Sequence, residues 1–263
     1  MNFSLISVSV VIIFLSTNIF AKEQRTNSIG ASVFNSYTFW ENSYSKEKFD
    51  NLGIATFISP SFKMKLKDFY FKFDFTSSHF NFIGPDGLTI TGPDNDIDTG
   101  FDSNMRRNAL GLETGYNFFN YVNLSIKSNY IYMHIKGDND QKFNWQTPFS
   151  FVEKGTIIGP GISLNFPKDN SKSYIILSMF YLQGRLNYTY DGHRSAKYKE
   201  NKDYFDTQLL SANLRFNIHL NANLLFHVSL KSDYFYKEKQ EQNYKYSSDI
   251  WFVGLNTGMM YLF

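Results

Sequence analysis

Two short stretches of this 263-residue chain place proton-handling groups at close spacing. Asp191-Gly192-His193 sets a carboxylate two residues from an imidazole, where the carboxylate can orient the ring and raise its basicity. Gly92-Pro93-Asp94-Asn95-Asp96 carries two carboxylates at the same alternate spacing. Brought together, the pairs can hold a water between them. His193 would act as general base, Asp191 would fix its ring, and Asp94 or Asp96 would help to polarise the same water, without a covalent intermediate. Each pair alone is weak, because an Asp-x-His in a polar loop is more often surface decoration and an Asp-rich loop is usually solvated. Asp94, Asp96 and Asp98 have the alternate spacing of an EF-hand loop, but Thr99 stands where Gly is required and Met105 where Glu is required. Neither a metal nor a cofactor is indicated.

The segment leading into the Asp191 pair alternates as a strand does. Leu186, Tyr188 and Tyr190 share one phase, while Gln183, Arg185, Asn187 and Thr189 share the other, which Asp191 and His193 continue. With lipid on the apolar side, the polar phase and both site groups are expected to face an enclosed polar interior.

The start of the chain and its composition point to such an enclosure. An apolar run from Leu5 to Phe20 ends at Ala21 and is followed by Lys22-Glu23-Gln24-Arg25, which reads as a signal peptide over residues 1–21. Residues 22–263 then form the mature domain, 263 − 21 = 242 residues, enough for one large all-β unit. There is no cysteine, so disulfides, a thiol nucleophile and a lipid-modified N-terminal Cys are excluded. The formal net charge of +2 does not suggest a nucleic-acid partner. The chain carries 28 Phe and 18 Tyr, which a soluble protein would have to hide and a membrane barrel can place outside.

Strand patterning supports the barrel. Phe69, Phe71, Phe73 and Phe75 alternate with polar or amphipathic residues, and Trp251, Val253, Leu255, Met259, Tyr261 and Phe263 line one phase of the last strand. Strands are expected at about 28–43, 52–65, 69–82, 107–118, 122–135, 155–166, 173–190, 204–220, 224–236 and 248–263. Phe80 and Phe82 fall on the polar phase after Ser77-Ser78, which suggests a bulge. Ten strands with alternating short and long connections describe an all-β, ten-stranded antiparallel transmembrane β-barrel, with long loops outside. Most strands exceed the roughly 9–11 residues that cross a bilayer, so the barrel should stand above the outer membrane. Its narrow lumen is expected to be filled by Arg185, Arg215, Lys231 and Asp233, leaving function to the rim.

At these residues the chain resembles the omptins, outer-membrane proteases whose ten-strand barrel shares an active site between an Asp-x-Asp pair in the second outer loop and an Asp-x-His pair in the fourth. Gly92 to Asp96 and Asp191-Gly192-His193 stand in the matching loops, and Glu41-Asn42-Ser43-Tyr44 and Pro160-Gly161-Ile162 also look like family features. The resemblance implies an endopeptidase with Asp94, Asp96, Asp191 and His193 as catalytic residues and its site facing the exterior. It also implies a monomer in contact with outer-membrane lipid such as lipopolysaccharide.

Ile97 stands where the family usually has Trp, and Thr189 replaces an acidic residue that many members use to hold a basic side chain. Glu41 is then the remaining candidate for substrate binding. The second loop carries Asp86, Asp94, Asp96, Asp98 and Asp102, so cationic peptides are the expected substrates. The rival reading is a non-catalytic ten-stranded adhesin or surface-ligand-binding barrel. A hydrolase built on His227-Val228-Ser229 is disfavoured, because that pair follows a short turn and so lies near the periplasmic end.

Overall fold

The structure is a computed structural model, and it describes residues 27–44, 47–81, 90–91, 96–97, 103–118, 121–137, 149–167, 173–192, 203–240 and 245–263. The expected signal peptide, Asp94 and His193 lie outside these residues. The strands are β1 (Ser28–Tyr44), β2 (Glu47–Leu66), β3 (Phe69–Asn81), β4 (Ile90–Thr91), β5 (Asp96–Ile97), β6 (Ser103–Phe118), β7 (Val122–Gly137), β8 (Phe149–Pro167), β9 (Ser173–Gly192), β10 (Asp203–His219), β11 (Leu224–Gln240) and β12 (Lys245–Leu262). Ten of them close into an antiparallel barrel in the order β1-β12-β11-β10-β9-β8-β7-β6-β3-β2, while β4 and β5 form a separate small hairpin. Closure leaves no free edge, so the ladder satisfies the backbone groups of the wall internally, as a membrane-crossing sheet requires. Beyond the β1–β12 pairing, Asn27 and Phe263 exchange backbone hydrogen bonds of 2.9 Å in both directions.

The outward phase defines a membrane belt. Val33, Ile58, Phe73, Leu110, Ile126, Ile162, Met179, Leu214, Leu230 and Leu255 are all exposed, and solvent exposure on this scale suits lipid. Phe39, Tyr130, Tyr181, Tyr234 and Trp251 ring its upper border, and Phe69, Phe118, Tyr121, Phe166, Tyr261 and Phe263 its lower one. Such aromatic girdles mark the two interfaces of a barrel in a bilayer.

Above the upper girdle the polarity of the wall inverts. Arg185 bonds Asp206 at 2.9 Å on the outside, with side-chain exposures of 66% and 73%, while Leu182 and Leu186 are buried inside. This corrects the expectation for this segment: its polar phase faces out, and Arg185 does not fill the lumen. The cause is the change of outer solvent from lipid to water, which moves the apolar residues to the dry side of the same strand. Arg215, Lys231 and Asp233 do face the interior. No bulge follows Ser77-Ser78 either, since β3 and β6 stay in constant register from Ser77↔Asn108 to Asn81↔Asn104.

Most strands also run further at their outer ends than expected, most of all β8 and β2, because pairing continues beyond the bilayer. Periplasmic connections are tight, and Lys67 in the turn Lys67-Asp68 takes a left-handed φ of 54°.

One close approach inside the lower wall limits substitution. Gly115 faces Tyr70 in register, and a Cβ there would meet the Tyr70 ring at 2.6 Å. That ring directs its hydroxyl to Glu113 Oε1 at 2.6 Å. Gly115→Val is expected to displace the ring and break this bond, lowering stability by about 1–3 kcal/mol. A lower temperature for loss of the fast-migrating folded band on a gel would record it, and an unchanged temperature would refute the packing.

Candidate functional site at the exterior rim

The interior of the barrel is apolar at the height of the upper girdle. Phe34, Phe57, Ala109, Ile131, Ile157, Leu182, Leu209, Phe235, Ile250 and Phe252 form one buried cluster to which, among the described residues, every barrel strand except β3 contributes. Ile131, Leu182, Phe235 and Ile250 are chain neighbours of the upper-girdle residues Tyr130, Tyr181, Tyr234 and Trp251, so the cluster lies across the lumen at that height. Phe57 stacks on Phe34 at 5.4 Å, and Phe252 meets Phe57 and Phe235 edge-on at 5.2 and 6.1 Å. The Arg107 guanidinium sits over Phe235, Phe252 and Phe57 at 4.3, 5.1 and 5.6 Å from the ring centroids. This apolar layer packs the lumen at that height.

Above the layer, Glu153 of β8 and Lys237 of β11 form a buried ion pair across the interior. Their side chains are only 7% and 1% exposed. Both residues fall in segments that the sequence reading assigns to loops, so no strand phase is available there to mark them as inward-facing. On the outer wall Tyr234 donates to Asp249 at 3.1 Å, and the Tyr236 hydroxyl donates to Glu238. That bond to a carboxylate pushes the Tyr236 phenol up to about 12.

The expected site residues are described unevenly. Asp96 lies in β5, opposite Thr91 of β4, and the segment 92–95 that joins these strands carries Asp94. Asp191 belongs to β9 rather than to a loop, in register with Ser150 of β8, and it shares the phase of the outward-facing Arg185, Asn187 and Thr189. Glu41 of β1 stands in register with Asp249 of β12 and Asp50 of β2, on the phase of the exposed Tyr37 and Phe39. The side chains of Asp96, Asp191 and Glu41 are outside the described residues. The loops that carry the two pairs rise from opposite sides of the mouth: β6, β7, β8 and β9 separate the β3–β6 gap from the β9–β10 gap one way, and six strands do so the other way.

A closed, lipid-belted, ten-strand antiparallel barrel defines the class: a β-barrel of the bacterial outer-membrane type. No family model matches the chain, and no curated protein matches it. Among solved structures it is similar to the outer membrane protease OmpT from Escherichia coli, with 10% identity, a TM-score of 0.54, and coverage of 94% of this chain and 99% of that one. It is also similar to the translocator domain of the autotransporter NalP from Neisseria meningitidis, with 9% identity, a TM-score of 0.56, and coverage of 99% and 95%. Similarity at this identity carries the fold.

Proposed function

We propose that the chain is an omptin-type endopeptidase of the outer membrane, acting at its exterior rim. The observation that carries this reading is topological: the Asp94–Asp96 loop and the Asp191–His193 end of β9 rise from opposite sides of a narrow mouth. The apolar layer across the lumen adds support, since it disfavours transport as a competing use. In this reading Asp191 orients His193, His193 takes a proton from water, and Asp94 and Asp96 polarise that water from across the cleft. No metal or cofactor takes part. Incubating the refolded barrel with a peptide library, with and without lipopolysaccharide, and sequencing the products tests it. Absence of any cleaved bond under both conditions refutes it.

A specific observation favours a second reading. Gln183, Arg185, Asn187 and Thr189 are exposed on the outer wall of β9, a polar surface that suits a non-catalytic barrel binding a surface ligand.

The acidic second loop predicts the substrate class. Cationic peptides are expected to be cleaved faster than neutral ones at low salt, and the advantage should shrink as ionic strength rises and the Debye length falls to about 10 Å at 0.1 M. With Thr189 uncharged, the preference should be looser than that of a strict dibasic cutter, and Glu41→Ala should relax it further only if Glu41 reaches the cleft. Equal rates for neutral and basic peptides in low salt would show that the loop does not select substrate.

A further inference from the structure

Below the apolar layer the lumen is a chamber with unbalanced charge. Lys72 and Lys231 lie within the barrel wall, yet their side chains remain 28% and 29% accessible, so they border enclosed space rather than packed protein. Among the described residues, Lys63, Lys72, Lys127, Arg215 and Lys231, with Arg107 at the layer above, are six cations facing three carboxylates, Asp74, Glu113 and Asp233, an excess of 6 − 3 = 3.

The carboxylates are already engaged. Asp74 Oδ1 is shared by Lys127 at 3.3 Å and Lys72 at 3.6 Å. Asp233 takes Lys231 at 2.9 Å and the Ser211 hydroxyl at 2.6 Å, and Glu113 takes the Tyr70 hydroxyl. Lys63 is left over the Tyr70 ring at 4.2 Å, and Arg215 Nε has no hydrogen-bond partner. Lys63 and Lys72 are register partners on β2 and β3, and Arg215 shares the inward face of β10 with Asn213 and Asn217.

The adjoining wall is lined by orphaned polar groups. Asn217 and His227 are register partners on β10 and β11, are 0% and 3% exposed, and leave both amide atoms and both ring nitrogens without a partner. Asn213 Oδ1 on the same face of β10 is also unpaired. Buried polar groups are nearly always bonded, so several orphans together mark an occupied space. Water could satisfy the bonds, but it cannot offset the charge.

We propose that this chamber binds a small inorganic oxyanion of the phosphate or sulfate class, held by Lys63, Lys72 and Arg215 with Asn217 and His227 as neutral donors. The guanidinium fork matches paired oxygens, which favours an oxyanion over a halide. Because the apolar layer closes the chamber above, the ion exchanges through the periplasmic end.

Equilibrium dialysis of the full refolded barrel against radiolabelled inorganic phosphate, with ionic strength held constant by potassium gluconate, tests this. Wild type should show saturable uptake, competed by sulfate and not by gluconate. Arg215→Gln and Lys63→Gln should each weaken uptake by roughly tenfold or more, as expected for loss of a charge-assisted bond. Heat-modifiable migration checks that each variant is folded, and if Arg215→Gln does not fold, Lys63→Gln decides alone. Lack of saturable uptake by wild type, unchanged uptake in the folded variants, or displacement by gluconate as effective as by sulfate overturns the proposal.

Discussion

His193→Ala is expected to lower kcat for a basic peptide by roughly 10²–10⁴ while leaving the barrel folded, because in the proposed mechanism the imidazole alone takes the proton from the attacking water. KM should change little, since the ring makes no contact that holds the substrate before reaction. Asp191→Ala should lose activity to a similar degree, and adding it to His193→Ala should cost little more, because two members of one acid-base unit are not additive. Heat-modifiable migration of each variant separates chemistry from folding. Wild-type-like turnover in His193→Ala ends the protease reading and leaves the surface-ligand barrel, a role in which that ring is replaceable.

The largest expected effect on stability lies at Glu153. Truncation to Ala leaves the Lys237 ammonium buried without its partner above the apolar layer, and breaking such a pair costs about 3–5 kcal/mol. Replacing both residues, as in Glu153→Leu with Lys237→Met, removes the desolvated charges together and should restore most of that loss. Urea unfolding of the detergent-folded barrel, followed by tryptophan fluorescence, reads both. Equal midpoints for wild type and Glu153→Ala would show that the pair contributes nothing to the upper barrel.

Much of the architecture was legible in the chain. Alternation from Phe69 to Phe75 and along Trp251 to Tyr261 needs only the period-two geometry of a strand, and both faces turn as expected. The segment 183–190 was misread for a definable reason. Its alternation is equally clean, but a period-two pattern states which residues share a face and not which solvent that face meets. Height relative to the bilayer supplies the missing sign. It is lipid outside Met179 and water outside Arg185, so the same strand carries its apolar residues outward below Tyr181 and inward from Leu182. At the Ser77-Ser78 step, read as a bulge, the ladder simply continues in constant register.

The candidate site divides along similar lines. Residue spacing placed the Asp94–Asp96 and Asp191–His193 pairs in two outer connections, and strand count alone sets those connections across the mouth from each other, because position around a closed sheet follows from chain order when neighbours pair. Glu153 and Lys237 could not be joined from sequence. They are 84 residues apart on β8 and β11, strands that do not pair, and only closure brings them together. The same holds for the Arg107 cage, assembled from Phe57, Phe235 and Phe252 on three other strands. Local pattern and spacing therefore determined the strands, their number and the candidate chemistry, because these depend on near neighbours in the chain. The apolar layer across the lumen, the charge excess beneath it and the direction each face looks were decided by the closed barrel, where the solvent on each side and the partners across the interior exist only once all ten strands are in place.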